Sequence, residues 1–254
     1  MKSLPLEKAF LIQPLFTDPT DSCTASCFEG TMGQAFADDP FAPTIAAVTL
    51  GEYIYIEGAA NNTFLTEAFD YAVQHRLTIV TLNHEISRYF KTQYRDHLVV
   101  KTRYRMYTVP EPDVSALLGY IRSVPPQYEL RKIDSSIYHQ LLQCDWSKYF
   151  VANFKNDIDF SNNAFGCVAM YKGKPVSGTS CYSYYRSGCE AVVATASEHR
   201  RKGLALACSS VFVTECLRRG KIPHWDCANE RSLALAQKLG YRLYETYEGL
   251  CVSS

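Results

Sequence analysis

The segment from Arg200 to Ala205, which reads RRKGLA, combines residue types that can bind an anion. It lies between the apolar segment EAVVATA and a long stretch with helical periodicity, so we predict that it joins a strand to a helix. Glycine lets a backbone approach a ligand closely, and the first amides of a helix have no partner within it. Those amides and the helix dipole favour a diphosphate, to which cations add charge. The predicted anion site therefore comprises Arg200, Arg201, Lys202, Gly203, Leu204 and Ala205.

The alternative for the same segment is a solvated basic turn before an ordinary amphipathic helix, with Leu204, Cys208, Val211 and Phe212 as the core face. Other nucleotide-binding loops fit less well. The chain has no GxxxxGK[ST] segment, and a dinucleotide-binding loop would need three glycines where this one has Gly203 alone.

RRKGLA fits the R/Q-x-x-G-x-G/A signature of the GNAT superfamily of acyl-CoA-dependent N-acyltransferases, and its surroundings fit as well. From Tyr128 to Val252 the chain resembles one complete GNAT domain, which ends in HWDCANERSLALAQKLGY. The pairing of WSKYFVANF with that ending resembles a bacterial GNAT subgroup with an extra N-terminal domain. The resemblance implies an α/β fold with a mixed sheet and acetyl-CoA as cosubstrate.

The resemblance also implies roles for residues outside the loop. Main-chain groups of Val193 and Thr195, on the preceding strand, would bind the pantetheine arm. Asn229 and Ser232 occupy positions at which GNAT proteins commonly contact the same arm, while a plain helix N-cap explains Asn229 equally well.

Acyl transfer to an amine needs a group that removes the ammonium proton. Glu190 is the candidate base, because several family members carry a glutamate near this place, and a solvated residue at the start of the strand is the alternative. Asp226 and His224 on the neighbouring strand compete for the role. The tyrosine that many GNAT proteins use as general acid is replaced here by Ala236, so Tyr182 or a water would have to donate that proton.

An aromatic cluster could form the pocket for the amine acceptor, although aromatic side chains are as often core residues. The main candidates are Trp146, Phe150, Ser180 and Trp225, and Tyr149, Asn153 and Tyr182 are further ones.

The chain of 254 residues is long enough for two domains. Four prolines in VPEPDVSALLGYIRSVPPQ predict a linker over 110–127, between a mixed α/β domain over 1–109 and the GNAT domain over 128–254. Both halves end in the order helix, strand, helix, strand. The N-terminal domain is therefore either a degenerate GNAT-like repeat or an α/β domain that shares this order by chance.

Composition and hydropathy argue against several classes of protein. Lys plus Arg and Asp plus Glu both number 26, so no overall basic field favours nucleic acid. No uncharged apolar run is long enough to cross a bilayer, and MKSLPLEKAF lacks the apolar segment of a signal peptide. We expect a cytoplasmic protein that binds neither nucleic acid nor membrane, contains no metal, and keeps its 10 cysteines reduced. The sequence does not determine the oligomeric state, and a dimer is one of the alternatives.

These observations predict an enzyme that transfers acetyl from acetyl-CoA to a primary amine, on a small molecule or a peptide, by direct attack in a ternary complex. The second hypothesis is a CoA-binding module that has lost catalysis, which the alanine at position 236 favours. The third is a structural protein that binds no CoA.

Overall fold

The structure is a computed structural model that describes residues 1–18, 21–107 and 112–253. The chain forms two compact units, the first from Met1–Tyr104 and Glu245–Ser254 and the second from Arg105–Tyr244.

The elements up to residue 107 alternate short strands and helices. They are β1 (Lys2–Leu4), a 3-10 helix (Leu6–Leu15), α1 (Ser22–Phe28), β2 (Gln34–Ala37), β3 (Ile45–Leu50), β4 (Tyr53–Gly58), α2 (Asn62–His75), β5 (Thr78–Val80), α3 (His84–Gln93), a 3-10 turn (Arg95–His97) and β6 (Leu98–Tyr107).

The remaining elements begin after residue 112. They are α4 (Val114–Arg122), β7 (Glu129–Lys132), α5 (Ser135–Leu142), a 3-10 turn (Lys148–Phe150), α6 (Asp157–Asn163), β8 (Gly166–Tyr171), β9 (Lys174–Tyr184), β10 (Gly188–Thr195), a 3-10 turn (Ser197–His199), α7 (Leu204–Arg218), β11 (Ile222–His224), β12 (Asp226–Cys227), α8 (Glu230–Lys238) and β13 (Arg242–Val252).

In the first unit the strands are hydrogen-bonded in the order β1-β2-β3-β4-β5-β13-β6. Helix α2 forms as its periodicity predicts, since its buried residues are Phe64, Leu65, Ala68, Phe69 and Ala72. Asn83 caps α3 by accepting hydrogen bonds from the amides of Glu85 and Ile86. Both helices pack onto one face of the sheet around Ile54, Ile56 and Ile79, which are fully buried.

In the second unit a five-stranded sheet has the order β11-β10-β9-β8-β7. Strands β7 to β10 are antiparallel neighbours, whereas β11 runs parallel to β10. A parallel pair needs a crossover connection, which α7 provides. Leu204 and Cys208 of α7 pack against Cys167 and Ala169 of β8, so this helix lies on the sheet.

The two units share one topology. In the first, three antiparallel strands (β2, β3, β4) are followed by α2 and by β5, which is parallel to β4. In the second, β8, β9 and β10 are followed in the same way by α7 and β11. The next helix is α3 in one unit and α8 in the other. The predicted internal repeat is thus present in the order and direction of the elements.

The structure of the segment over 110–127 differs from the linker that the prolines predict. Where it is described, it contains α4, which Asp113 caps through the amide of Ala116, and it belongs to the second unit. The prolines lie on either side of the helix and none lies within it, so they limit its length without preventing it. The predicted junction at 109 and 110 lies outside the described residues. The last ten residues, predicted as part of the GNAT domain, belong to the first unit because β13 pairs with β5.

No helix among the described residues has the length and apolar character that a membrane crossing requires. The ten cysteines are free thiols, and most of them are buried, as small core residues are.

Helix α7 ends in an ion-pair cluster that makes a pH-dependent contribution to stability. Hydrogen bonds from Arg218, and then from Arg219, lower the pKa of Glu215 from its ordinary 4.5 to about 2. Because the pKa is lower in the folded state, the stabilisation is complete above the unfolded value and is lost as the pH falls through the folded one. Glu215→Gln should reduce the free energy of unfolding at neutral pH by about 1–2 kcal/mol, allowing for solvent screening.

Denaturant titrations of the wild type and the variant across the acidic range measure this difference. It should shrink progressively from pH 4.5 to about pH 2. The exposed Glu129 of β7 provides a matched control, Glu129→Gln, which should leave stability unchanged. A loss in Glu215→Gln that stays constant with pH would contradict the ion-pair explanation.

Candidate functional site

Strand β10 separates from β11 halfway along its length. The parallel register joins Gly188 to Ile222 and ends where Glu190 faces His224. Pairing with β9 continues to Thr195, with an irregularity between Glu190 and Ala191. Among the described residues, the second half of β10 therefore has a strand on one side only, and its other edge is available to a ligand.

The loop after β10 turns the chain twice through left-handed backbone conformations. Arg201 has φ 60° and Gly203 has φ 77°, the latter being the residue that directly precedes α7. Left-handed φ values favour glycine and are uncommon elsewhere, so Arg201 is a strained position of the kind that functional loops often contain. A Cβ added at Gly203 would meet nothing within 4 Å, so its surroundings are open.

The amides of residues 201–206, in the loop and at the start of α7, have no acceptor among the described residues. Helix α7 has no side-chain N-cap, and its first bond to the preceding loop runs from the amide of Ala207 to the carbonyl of Gly203. In the described part of the chain, the amides from Arg201 to Leu206 therefore lack a hydrogen-bond acceptor. A cluster of unpaired amides at the positive end of a 15-residue helix is an anion-binding arrangement. We call residues 201–206 the amide cradle.

The three basic side chains of the loop are held differently. Arg200 donates from Nε to the carbonyl oxygen of Thr195, 3.2 Å away, and so closes the loop onto the end of β10. Lys202 donates from Nζ to the hydroxyl of Tyr128 at 3.0 Å. Arg201 is exposed and has no hydrogen bond or ion pair with the residues described, so it is the cation most available to a ligand.

Tyr128 is a site residue that the sequence analysis missed. Its ring is buried, and its hydroxyl lies 2.9 Å from Nδ1 of His199 as well as accepting from Lys202. Tyr171 packs against the rings of both Tyr128 and His199. These contacts fix the two ends of the loop to the sheet. The two hydrogen bonds join residues more than seventy positions apart, and no local pattern predicts them.

Asn229 and Ser232 lie together at the start of α8. The Asn229 side chain caps the helix by accepting from the amide of Ser232 at 3.1 Å, so the predicted N-cap is confirmed. The hydroxyl of Ser232 accepts from the indole nitrogen of Trp225 at 3.1 Å. Asn229 is exposed, which leaves its amide group accessible.

Glu190 occupies the point at which β10 and β11 separate. Its side chain is only 9% exposed, and Oε1 accepts a hydrogen bond from the amide of Asp226 at 2.7 Å. The carboxylate thus links β10 to Asp226 of β12, just beyond the point where β10 and β11 stop pairing. His224 and Asp226 are the other two candidates for the base. His224 is buried, and its Nε2 forms a hydrogen bond with the hydroxyl of Tyr185 at 2.7 Å. Asp226 lies half-buried on β12.

Tyr182, the candidate proton donor, is buried, and so is Tyr241, which follows α8. Tyr182 lies on β9 opposite the irregularity at Glu190 and Ala191, and its carbonyl accepts from Asn153. Tyr241 donates to the carbonyl of Pro223, and burial raises the pKa of its hydroxyl well above the ordinary value. Ala236 is fully buried and makes no polar side-chain contact. The structure thus places Tyr182 on the strand that pairs with β10, opposite the irregularity beside Glu190, and makes Tyr241 a core residue.

The residues predicted to line an acceptor pocket are mostly interior. Phe150 and Ser180 are 1% and 0% exposed, and the Ser180 hydroxyl donates to the Phe150 carbonyl at 2.8 Å. This bond attaches the 3-10 turn to β9, and both side chains lie in the core. Trp225 is also buried, while Trp146 is half-buried and packs edge-on against Phe150. Of the four, Trp146 is the most accessible.

Among the described residues, no group of three or more histidine, cysteine, aspartate or glutamate side chains could hold a metal ion.

Comparison with known proteins gives a consistent result. A family model described as GNAT acetyltransferase matches residues 13–250. The uncharacterized N-acetyltransferase YdfB of Bacillus subtilis is 28% identical over 126 residues, which cover 49% of this chain and 48% of that protein. The chain thus spans about half the length of this curated relative.

Solved structures resemble the chain over nearly its whole length. A GCN5-related N-acetyltransferase-like protein from Streptococcus suis has a TM-score of 0.91 at 29% identity, covering 98% of this chain and all of that one. A tandem GNAT protein from the clavulanic acid biosynthesis pathway has a TM-score of 0.57 at 11% identity, covering 96% and 92%, and is alike in fold alone. The predicted GNAT fold of the C-terminal half, with an additional N-terminal α/β unit, is confirmed.

Proposed function

Because the chain belongs to the GNAT acetyltransferase family, we propose that it transfers acetyl from acetyl-CoA to a primary amine by direct attack in a ternary complex. The observation that carries the proposal is the amide cradle, whose unpaired amides lie at the end of a strand with one free edge. A diphosphate linked to an extended amide-containing arm has matching chemistry, since the diphosphate suits the cradle and the arm suits the strand edge.

Different residues would bind the diphosphate and the pantetheine arm of acetyl-CoA. The amides of residues 201–206 would take the diphosphate, with Arg201 adding charge at the open side. Main-chain groups of Val193 and Thr195 would bind the pantetheine arm, and the Asn229 amide would contact it from the neighbouring helix. Because the Thr195 carbonyl already accepts from Arg200, its amide is the group left for this contact.

Glu190 would remove the proton from the attacking amine. Its carboxylate lies at the separation of β10 and β11, beside the strand edge that would hold the thioester arm. The hydrogen bond from the Asp226 amide orients the carboxylate through Oε1. The acceptor would be a small molecule or a peptide that carries a primary amine.

The second candidate is a CoA-binding module without transfer activity. The observation that favours it is Ala236, which is fully buried at the position where many GNAT proteins carry the tyrosine that protonates the leaving thiolate. A thiol with a pKa of about 8.5 can leave as thiolate without that donor, so transfer does not require it.

The amide cradle can be tested with one substitution and a closely matched control. Gly203→Glu should weaken acetyl-CoA binding by roughly 100-fold or more, because the side chain would project a like charge into the diphosphate position and strain the left-handed residue. Calorimetric titration with acetyl-CoA measures the dissociation constant.

Gly173 has the same φ of 77° and equally open surroundings, in the turn between β8 and β9, so Gly173→Glu carries the same strain without the cradle. It should bind acetyl-CoA as the wild type does. Arg201→Gln should weaken binding by less than Gly203→Glu. If Arg201→Gln had the larger effect, the side chains and not the backbone would hold the diphosphate.

The base can be tested with Glu190→Gln, which retains an oxygen acceptor for the Asp226 amide but cannot take a proton. We expect kcat to fall by roughly 100-fold or more, with acetyl-CoA affinity unchanged. Thiol release from acetyl-CoA in the presence of a panel of primary amines measures the rate, and Glu129→Gln is the control.

The outcomes separate the two candidates. Full activity in Glu190→Gln would remove this residue from the mechanism while leaving acetyl transfer intact. Tight acetyl-CoA binding by the wild type, with no thiol release for any amine in the panel, would favour the binding module.

A further inference from the structure

The second unit contains a cavity of about 150 Å³ that the proposed reaction does not use. It lies against the C-terminal half of α7, between that helix, the end of β7 and the junction of α6 with β8. Glu215, on its wall, is nine residues beyond Leu206, so it lies roughly 14 Å along the helix from the end of the amide cradle. The cavity and the cradle are therefore separate places on the same helix.

The interior of the cavity is apolar and largely aromatic. Ile133, Phe160 and Phe212 line it and are themselves buried, so they form a fixed floor. Phe165 stacks on Phe212 with ring centroids 5.1 Å apart, and Val211 completes the wall. A cavity of this volume with such a lining accommodates a body of about six carbon atoms, the size of a benzene ring.

The rim of the cavity carries a net positive charge. Lys132 is exposed and forms no hydrogen bond or ion pair within the part of the chain that the structure describes. Arg219 has its guanidinium 4.3 Å above the Phe165 ring and donates from Nε to Glu215. Both oxygens of Glu215 are already bonded by Arg218, so this carboxylate neutralises at most part of the rim. The rim thus has two cations, Lys132 and Arg219, and one carboxylate that is already hydrogen-bonded, and this balance of charge favours an anionic ligand group.

We propose that this cavity binds an organic monocarboxylate with a hydrophobic body of about six carbon atoms. Its carboxylate would lie at the rim beside Lys132 and Arg219, and its body among Ile133, Phe160 and Phe212. The cationic rim selects against amines, and the volume selects against larger ligands. The site is independent of the acetyl-CoA site, so the proposal does not rest on the function proposed above.

Ligand-observed NMR titration of the full chain with straight-chain carboxylates tests the proposal. From propanoate to heptanoate, whose hydrophobic body has six carbon atoms, affinity should rise roughly fourfold for each added methylene group. In octanoate and longer chains it should stop rising, because the cavity is then full. Benzoate should bind as well as hexanoate. Hexanamide and benzamide, which have the same bodies without the charge, should bind about tenfold more weakly.

Two substitutions locate the ligand. Lys132→Gln should weaken hexanoate binding about threefold to fivefold, whereas Lys238→Gln, at the exposed end of α8, should not change it. Val211→Phe should abolish binding by filling the cavity. Gly203→Glu should bind hexanoate as the wild type does, because the amide cradle is elsewhere on α7.

Several results would overturn the proposal. One is equal affinity for hexanoate and hexanamide, and another is unchanged affinity in Lys132→Gln. Loss of hexanoate binding in Gly203→Glu would place the ligand at the amide cradle instead. Absence of saturable binding to the wild type at any chain length would show that no such site exists.

Discussion

The amides of residues 201–206, which have no acceptor in the described chain, are the feature on which the rest of the site depends. Leaving six consecutive amides unpaired within a folded protein costs free energy unless water or a ligand accepts their hydrogen bonds. Arg201 and Gly203, both with left-handed φ values, lie within this run of amides, and successive backbone N–H groups in such conformations can form an anion-binding concavity. Tyr128 holds the loop in place from the sheet, through Lys202 and His199.

The second feature of the site is the separation of β10 and β11. Parallel pairing ends at Glu190, and α7 connects the two strands across the face of the sheet. One helix therefore begins at the cradle, connects the two strands that separate, and lines a cavity with its C-terminal half. The first unit repeats the topology without the cradle. Only Ala59, Ala60 and Asn61 connect β4 to α2, and the Asn61 side chain caps that helix by accepting from the Phe64 amide. The corresponding helix of the first unit therefore has the capping residue that α7 lacks.

Much of this could be predicted from the sequence, because the signals were local. The apolar face of α2, the Asn83 and Asn229 caps and the RRKGLA loop each lie within one short segment. The helix α4 was missed because prolines close to a short helix resemble those of a linker. Tyr128 was missed because its partners are distant in sequence, and Phe150 and Ser180 were assigned to a pocket because aromatic composition does not distinguish a core from a binding surface. Tertiary packing determines both the partners of Tyr128 and whether an aromatic segment lies in the core or on a binding surface.

In the function proposed here, backbone amides, more than the basic side chains beside them, hold the diphosphate of acetyl-CoA. Amide hydrogen exchange, measured with and without acetyl-CoA and resolved to single residues, distinguishes the two kinds of contact. We expect strong protection of residues 201–206 and of the second half of β10, with little change at the amides of α2 in the first unit. Protection that is absent from 201–206, or that is confined to other parts of the chain, would contradict it.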